Sequence, residues 1–367
     1  MADPLALKVG IVGAGSVAFG NAALLAAAGH HVMLWSPSGK RTVELARGTS
    51  LIAEGAIEGD YQFAVARSTE ELSAFADVIL IALPAYGHKV VFDALASHIR
   101  PDQTVLISSH ASLGALYLSK LLAARGVASP IVAWGTTATT GRQQDTRRVL
   151  VNTVRAKIDM ATIPQRDSVK ARSLCQQLFG DRFVERDGLL AISLSNLNPQ
   201  NHMGIALGNM TRMERSEVWS QGQHVTPNVG RLLESLDEER LAIAESLGLS
   251  VRTIFEHFHL SFHVPIASIS EMNQDMHRAG RGGTGPATAD SRYVTEDVPY
   301  GLLPTVMLGD MTGRTAKLHQ AGIDIFSAMY GVDFEQANDL LPALDLKSLS
   351  LAELKKLAAE GFPLRSM

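Results

Sequence analysis

Residues 8–29 read KVGIVGAGSVAFGNAALLAAAG and decide how the first half of the chain is expected to fold. A short apolar run leads to a GxGxxA turn that begins at Gly13, and an Ala- and Leu-rich helical run follows it. In such a strand–turn–helix the first glycine permits the tight turn, and the second lets backbone amides approach a pyrophosphate at the helix N-terminus. The pattern predicts a dinucleotide site, with Gly13, Gly15, Ser16 and Ala18 as its candidate cofactor-binding residues.

Short apolar runs and helical patterns alternate through the rest of the first half. This alternation is typical of βαβ units around a parallel sheet. The predicted strands are 7–12, 31–35, 78–83, 104–108 and 131–134. Residues 149–164 (VLVNTVRAKIDMATIP) are predicted to form a hairpin that adds strands to the edge of this sheet.

The second half of the chain is expected to be helical. Beyond about residue 187 strand periodicity is weak, and the apolar residues between Val229 and Leu247 recur at helical spacing. The predicted fold class is therefore α/β plus all-α: a Rossmann-like doubly wound parallel sheet over residues 1–186, followed by a helical substrate-binding domain over 187–367.

Two segments of the second half have their own expectations. A capping box, Ser350 to Glu353, begins a terminal helix that is predicted to dock on the helical domain. Residues 276–293 are rich in Gly, Ala and Thr, so the segment is predicted to be too flexible to pack. It is either a plain connector or a lid that orders over substrate.

The composition limits the classes of function. The 367 residues are 46% hydrophobic and 19% charged, which is enough for two cores. A net charge of -4 without a Lys/Arg block argues against nucleic-acid or membrane partners and favours a small-molecule ligand. The single cysteine, Cys175, excludes an intrachain disulfide and a thiolate metal cluster, so we expect no metal and a cytoplasmic location. A homodimer is slightly favoured over a monomer.

The second predicted strand lacks the acidic residue that usually binds the ribose of NAD. It ends in LWSPSGKR, residues 34–41, where Ser36, Lys40 and Arg41 would suit a 2′-phosphate. We therefore expect NADP as the preferred cofactor, with NAD as the alternative; the same residues also fit a solvated helix start. Pro84, just after a predicted strand, is expected to border the cofactor.

The candidate catalytic segment is LSNLNPQNH, residues 194–202, at the entrance of a helical run. Reduction of a carbonyl or imine by a nicotinamide also needs a proton donor near neutral pH, and His202 suits that task. Several amide side chains crowd this histidine and cannot all be buried without partners, which favours a polar pocket. Asn198 and Asn201 are candidate substrate contacts. The alternative is a surface or core histidine.

A second polar segment, EDVPYGL, covers residues 296–302. Its Asp297 precedes a predicted helix start at Pro299, so it is either a helix N-cap or an acidic partner in a catalytic site.

Several of these segments together resemble the octopine/nopaline (opine) dehydrogenase family, of the N-(1-carboxyethyl) amino acid dehydrogenase type. The resemblance covers nearly the whole chain and includes the GxGxxA turn and the Asn-rich approach to His202. Its other segments are 223–240 (QHVTPNVGRLLESLDEER), 292–302 (RYVTEDVPYGL) and 331–334 (GVDF). In that family a histidine and an acidic partner form the catalytic pair, and His202 and Asp297 occupy the matching positions.

The resemblance implies NAD(P)H-dependent reductive condensation of an amino acid with a 2-oxo acid, through an imine. His202 would move protons while Asp297 orients its ring. Two substrate carboxylates need counter-charges, for which Arg292 is the first candidate and Arg142 a weaker one. Both also fit exposed arginines. Thr136 is a candidate contact to the 2-oxo acid or the cofactor.

Two other readings stay open on the sequence. A ketopantoate-reductase-like or hydroxyacid dehydrogenase would reduce one keto acid, but such proteins generally use a lysine that residues 189–209 lack. A non-enzymatic NADP sensor would keep the glycine turn without a proton-transfer pair.

Overall fold

The chain folds into two compact units. The computed structural model describes residues 6–109 and 112–364. One unit holds the residues up to Ser193 together with those from Ala343 on, and the other holds Leu194–Pro342. The first unit therefore continues past the expected boundary at residue 187 and also includes the C-terminal segment.

The strands of the described residues lie in the first unit and form two sheets. They are β1 (Lys8–Val12), β2 (His31–Trp35), β3 (Leu51–Gly55), β4 (Gly59–Tyr61), β5 (Ala64–Val65), β6 (Val78–Ile81), β7 (Thr104–Ile107), β8 (Ile131–Trp134), β9 (Thr139–Gln143), β10 (Arg148–Val154), β11 (Ile158–Ile163) and β12 (Phe183–Glu185). The main sheet has the order β12-β11-β8-β7-β6-β1-β2-β5, and the smaller one has the order β4-β3-β10-β9.

Helices complete the first unit and build the second. They are α1 (Ser16–Ala27), α2 (Val43–Ala46), α3 (Thr69–Phe75), α4 (His88–Leu95), α5 (Gly114–Ala124), α6 (Ser168–Phe179), α7 (Leu189–Ser195), α8 (Asn198–Glu214), α9 (Pro227–Ser246), α10 (Ile254–Phe262), α11 (Ile269–Arg278), α12 (Arg292–Thr295), α13 (Leu303–Thr312), α14 (Lys317–Tyr330), α15 (Phe334–Ala337), α16 (Leu340–Leu344) and α17 (Leu351–Glu360). A π-helical turn covers Val298–Leu302. Within the described residues, no helix has the length and apolarity needed to cross a membrane.

The centre of the main sheet is parallel and confirms the predicted Rossmann-like fold. On β1, Val9 pairs with Val32 of β2 on one side and with Val78 of β6 on the other. All four residues of β6 are buried, as expected for a parallel strand covered on both faces. The chain leaves β1 toward β2 and later returns to β6 on the opposite side. The carboxyl end of β1 is therefore the switch point at which such sheets bind ligands.

The predicted hairpin at residues 149–164 is wrong. β10 pairs with β3 and β9 in the smaller sheet, whereas β11 pairs antiparallel with β8 in the main sheet. The buried side chains of β10, Val149 and Val151, belong to the same apolar cluster as Phe19 and Ala22 of α1. The apolar alternation of each strand was visible in the sequence, but it does not show which sheet the strand joins.

The prediction that the terminal helix docks on the helical domain is also wrong. α17 has the expected capping box at Ser350 and Glu353, but it belongs to the first unit. Just after it, the Phe362 backbone N–H donates to Ser119 Oγ on α5 at 3.0 Å. An apolar helix face predicts burial, but it does not identify the surface that covers it.

The Gly-rich part of residues 276–293 is packed, contrary to the expected flexibility. The Gln221 and Gly222 N–H groups donate to the carbonyls of Gly283 and Gly282, at 3.1 and 2.8 Å. Gly285 lies against the Trp219 indole so closely that a Cβ atom there would overlap the ring. The glycines thus allow the segment to pair with residues 219–222.

A buried histidine makes the first unit sensitive to acid. His88 is fully buried at the start of α4, where its Nε2 lies 3.2 Å from the Leu83 carbonyl oxygen. Burial lowers the pKa of His88 to about 4.

We expect the stability of the protein to fall between pH 6.5 and pH 4 because of His88. The unfolded chain binds a proton on this ring below about pH 6.5, while the folded protein does not bind it until about pH 4. His88→Gln removes this titration. When the pH is lowered from about 7 to 4.5, the free energy of unfolding of the wild type should therefore fall by roughly 2 to 3 kcal/mol more than that of the variant. Urea denaturation at both pH values measures this difference, and equal losses in the two proteins would contradict it.

Candidate active site

The turn after β1 has the geometry that a dinucleotide requires. Gly13 has a φ of 138°, and a Cβ atom there would overlap the Ala82 carbonyl oxygen, so no other residue fits without strain. Gly15 precedes α1 without a side-chain cap, and α1 begins at Ser16. Ala18 is fully buried. The first N–H groups of α1 are therefore left to bind an anion.

The end of β2 offers polar groups beside this turn. Ser36 is buried, and within the described residues its Oγ has no hydrogen-bond partner. Arg41 and Lys40 are exposed, and an Arg41 nitrogen lies 3.9 Å from the position of a Cβ atom on Gly15. The Arg41 guanidinium also donates to Gln143 Oε1 at 3.4 Å. The end of β2 thus places a buried hydroxyl and a guanidinium near the glycine turn, and Gln143 on β9 contacts that guanidinium.

Pro84 and Thr136 follow two other strands of the main sheet. Pro84 comes after β6 and begins a single 3-10 turn, and Thr136 comes after β8. Both are half-buried. Because β1, β6, β7 and β8 are parallel, both residues lie at the same carboxyl edge as Gly13.

In the helical unit the structure brings His202 and Asp297 together. His202 lies in the second turn of α8, and its Nδ1 is 2.6 Å from Asp297 Oδ2. The two side chains are only 14% and 10% exposed. Asp297 stands at the N-cap position of the π-helical turn, but its side chain makes no capping bond there and contacts the histidine instead. The hydrogen bond at this distance is typical of a charge-assisted pair.

The partner at Nδ1 determines what the other ring nitrogen of His202 can do. A carboxylate accepts, so Nδ1 carries a proton and Nε2 is an acceptor in the neutral ring and a donor in the imidazolium. Among the described residues, none is hydrogen bonded to Nε2. The arrangement can therefore pass a proton to or from a ligand at Nε2 while Asp297 stabilises the charged ring.

Sequence reasoning missed a tyrosine that stacks on this histidine. The rings of Tyr293 and His202 have their centroids 3.5 Å apart and are inclined by 10°. The Tyr293 hydroxyl donates to Gln221 Oε1 at 2.6 Å. Burial, together with the charge of Asp297, raises the pKa of Tyr293 to about 12. Tyr293 precedes Asp297 by four residues, a spacing that places two side chains on one helical face and could have identified it.

The other candidate substrate contacts lie on the same elements. Asn198 is exposed in the first turn of α8, and Asn201 is half-buried with an Oδ1 atom that lacks a partner among the described residues. Arg292 keeps 61% of its side chain exposed while its Nε lies 3.2 Å from Glu296 Oε2. Within the described residues no hydrogen bond joins any of these side chains to His202.

A buried ion pair fixes the start of α8. Asp237 and Arg240 on α9 are each 2% exposed, and the guanidinium contacts Asp237 Oδ1 at 2.7 and 3.0 Å. Gln200, two residues before His202, donates to the same oxygen at 2.9 Å. The other carboxylate oxygen accepts from the Ile254 N–H, and Arg240 also donates to the Leu194 carbonyl.

Small residues let α8 approach its neighbours. A Cβ atom on Gly204 would lie 2.5 Å from the side chain of Leu233 on α9, and one on Gly301 would overlap the Pro199 ring. α8 is thereby held close to both α9 and the π-helical turn, which brings Asp297 within reach of His202.

No metal site accompanies this pair in the part of the chain that the structure describes. There, no group of three or more His, Cys, Asp or Glu side chains could hold an ion. Cys175 is buried, and burial raises the pKa of its thiol to about 12, so the thiolate that reactions require is disfavoured.

A dinucleotide fold followed by a helical unit with a buried histidine–carboxylate pair defines the class of nicotinamide-dependent dehydrogenases. The family model for the alpha-helical domain of NAD/NADP octopine/nopaline dehydrogenase matches residues 185–330, and that for coenzyme F420-dependent NADP oxidoreductase matches residues 8–112. An opine dehydrogenase of Arthrobacter sp. (strain 1C) is 31% identical over 355 residues, which cover 94% of this chain and 97% of that protein. The chain belongs to the octopine/nopaline dehydrogenase family and is an NAD(P)-dependent oxidoreductase that acts on a CH–NH group.

Solved structures share this fold. Octopine dehydrogenase with NADH and L-arginine superimposes with a TM-score of 0.77 at 16% identity, covering 93% of this chain and 97% of that one. Yersinopine dehydrogenase with bound NADP+ superimposes with a TM-score of 0.70 at 15% identity, covering 98% of this chain and 99% of that one. The expected family, fold class and enzyme class are thus confirmed, and the ketopantoate-reductase-like and sensor readings are less supported.

We expect the helical unit to depend on the Asp237–Arg240 pair for stability. Asp237→Asn leaves a buried guanidinium without its counter-charge and should lower the free energy of unfolding by about 3 to 5 kcal/mol. The double variant with Asp237→Leu and Arg240→Met removes both charges, so its free energy of unfolding should fall by less than that of Asp237→Asn. Urea denaturation followed by circular dichroism measures both.

The control for this prediction is the half-exposed pair of Arg212 and Glu217, whose side chains are 39% and 40% exposed. Glu217→Gln should change the free energy of unfolding by less than about 1 kcal/mol. Equal effects of Asp237→Asn and Glu217→Gln would show that burial of the pair has no special importance.

Proposed function

We propose that this protein catalyses the NAD(P)H-dependent reductive condensation of the α-amine of an amino acid with a 2-oxo acid, and the reverse reaction. The observation that carries this proposal is the His202–Asp297 hydrogen bond of 2.6 Å, which leaves Nε2 as the proton-transfer atom. Membership in the octopine/nopaline dehydrogenase family supports it as well. His202 is the acid–base group, and Asp297 orients and stabilises it.

The proton transfers follow from the two states of the His202 ring. As the amine nitrogen forms its bond to the ketone carbon, Nε2 takes up the proton that the nitrogen loses. The imidazolium, stabilised by Asp297, then gives this proton to the ketone oxygen, which becomes the carbinol hydroxyl. A second proton passes from the nitrogen through Nε2 to this hydroxyl, which leaves as water and produces the imine. Bound NAD(P)H would supply the hydride for the imine carbon, and a proton from solvent would reach the imine nitrogen through Nε2. In the reverse direction Nε2 accepts a proton from the attacking water.

Both substrates carry carboxylates, and unpaired buried carboxylates are costly. We assign one of them to Arg292, whose guanidinium is mostly exposed and which lies on α12 beside Tyr293, shortly before Asp297. Asn201, with a buried amide oxygen that lacks a partner among the described residues, and Asn198 are proposed to hydrogen bond polar groups of the amino acid. Thr136 is proposed to contact the 2-oxo acid or the cofactor.

We assign the cofactor preference to NADP. The turn at Gly13 and the N-terminus of α1 would hold the pyrophosphate, with Pro84 at the border of the site. The unpartnered hydroxyl of Ser36 and the cations of Lys40 and Arg41 would hold the 2′-phosphate.

We also propose that the protein is a cytoplasmic homodimer. A single, buried cysteine suits a reducing compartment. Exposed apolar side chains on and just after α14, Ile325, Met329 and Val332, supply a surface on which two copies could pair.

Turnover should require both substrates and His202. NADPH oxidation is followed with a 2-oxo acid, with an amino acid, and with both together, and rapid oxidation is expected only with both. His202→Asn keeps a donor for Asp297 but has no atom at the Nε2 position, so kcat should fall by a factor on the order of 100. Cofactor affinity should remain nearly unchanged.

The control is His31→Gln, an exposed histidine at the start of β2, which should behave as the wild type. Equal oxidation with the 2-oxo acid alone would overturn the condensation and favour a single-substrate reductase. A fully active His202→Asn variant would remove the acid–base role from this residue.

The 2′-phosphate assignment predicts a selective loss of NADPH affinity. Arg41→Ala should raise the dissociation constant for NADPH by about tenfold, because one charge-assisted hydrogen bond is lost, and should leave that for NADH within twofold. Isothermal titration with each cofactor measures the constants, and the exposed Arg47→Ala is the matched control. Tighter binding of NADH than NADPH by the wild type would contradict the assignment of Ser36, Lys40 and Arg41.

A further inference from the structure

We propose that Tyr293 is a positioning residue for His202, holding the imidazole plane with its stacked ring while Gln221 anchors its hydroxyl. This inference rests on the proposed function, in which His202 exchanges protons with the substrate at Nε2.

One hydrogen bond does not fix the orientation of an imidazole ring. The bond from Nδ1 to Asp297 sets the position of one ring atom, but the ring can still tilt about the axis of that bond. A parallel ring at 3.5 Å, inclined by only 10°, blocks this tilt. Asp297 and Tyr293 together therefore determine where Nε2 points. A small misalignment of Nε2 with the substrate slows proton transfer.

Tyr293 is itself held at both ends. Its backbone N–H donates to Ser291 Oγ, and its hydroxyl donates to Gln221 Oε1 at 2.6 Å. The backbone N–H of Gln221 donates to the Gly283 carbonyl, so the anchor belongs to the pairing between residues 219–222 and the Gly-rich segment. Since burial raises the pKa of Tyr293 to about 12, the phenol keeps its proton at neutral pH and acts as a hydrogen-bond donor, not as the acid of the reaction.

The stacked ring also affects the charge of His202. The face of an aromatic ring attracts a cation, so Tyr293 stabilises the imidazolium relative to the neutral ring. On α12 and the π-helical turn, the ionisable groups at or near the ring are Asp297, Tyr293, Arg292 and Glu296. On α9, the charged groups in contact with α8 are the buried pair of Asp237 and Arg240, which Gln200 joins by a hydrogen bond to Asp237.

The first test replaces the ring and measures His202 directly. Tyr293→Leu should lower kcat about tenfold while the KM for NADPH stays within twofold, because the orientation of Nε2 is lost and the cofactor site is not. The ring resonances of His202, followed by NMR on histidine-labelled protein without substrates, should move because the stacked aromatic ring is removed. Tyr293→Phe keeps the ring, so these resonances should stay close to those of the wild type and kcat should fall less than in Tyr293→Leu.

The second test examines the anchor. Gln221→Leu and Tyr293→Phe remove the two ends of the same hydrogen bond, so each should lower kcat about threefold and the double variant should lower it no further. The comparison of these two single variants with the double variant remains decisive if Tyr293→Leu fails to fold. Tyr330→Leu, a half-buried tyrosine on α14 whose hydroxyl binds the Ala289 carbonyl, measures the general cost of removing a tyrosine from this unit.

The outcomes separate this inference from the proposed function. Wild-type ring resonances of His202 and a wild-type kcat in Tyr293→Leu would overturn the positioning role, as would equal losses of kcat in Tyr330→Leu. Additive losses in the double variant would overturn the anchoring by Gln221. The NMR measurement needs no turnover, so it tests the stacking of Tyr293 on His202 even if the protein fails to condense amino acids with 2-oxo acids.

Discussion

The arrangement of the helical unit depends on the buried ion pair between Asp237 and Arg240. Two charges removed from water are tolerated only when every oxygen and N–H group finds a partner, and partners are available only if the surrounding segments come together. The carboxylate binds the side chain of Gln200 and the backbone of Ile254, and the guanidinium binds the carbonyls of Leu194 and Arg252. The pair thus joins the end of α7, the start of α8 and the approach to α10 at one point on α9. His202 lies on α8 two residues after Gln200, the residue that contacts Asp237.

The site is assembled from two chain segments that are remote in sequence. α8 supplies the imidazole, and the region from α12 to the π-helical turn supplies both Tyr293 and Asp297. The π-helical turn begins immediately after Asp297. Turns of this kind are frequent at functional sites because they redirect a side chain out of the regular helical pattern. A separate hydrogen bond, in which Glu239 accepts from His319, holds the start of α14 on α9. The pKa of Glu239 is lowered, because hydrogen bonds from His319 and Leu318 outweigh its burial.

Much of the first unit could be predicted because its signals are local. A GxGxxA turn between an apolar strand and an Ala-rich helix specifies its own surroundings, and the predicted central strands appear as β1, β2, β6, β7 and β8. The sheet joined by β10 and the surface under α17 could not be predicted, because apolar periodicity records burial but not the partner. His202 and Asp297 were identified as a pair through the family resemblance. Tyr293 was missed although its spacing from Asp297 was visible, because an aromatic residue at helical spacing is more often part of a core.

The return of the C-terminal segment to the first unit has a consequence for biosynthesis. The ribosome makes residues 194–342 before the segment that contains α17, so the entire helical unit leaves the ribosome while the first unit still lacks a part of its surface. Until that segment arrives, Ser119 on α5 has no Phe362 N–H to accept from. The unit that carries the dinucleotide turn is therefore the first to begin folding and the last to be completed.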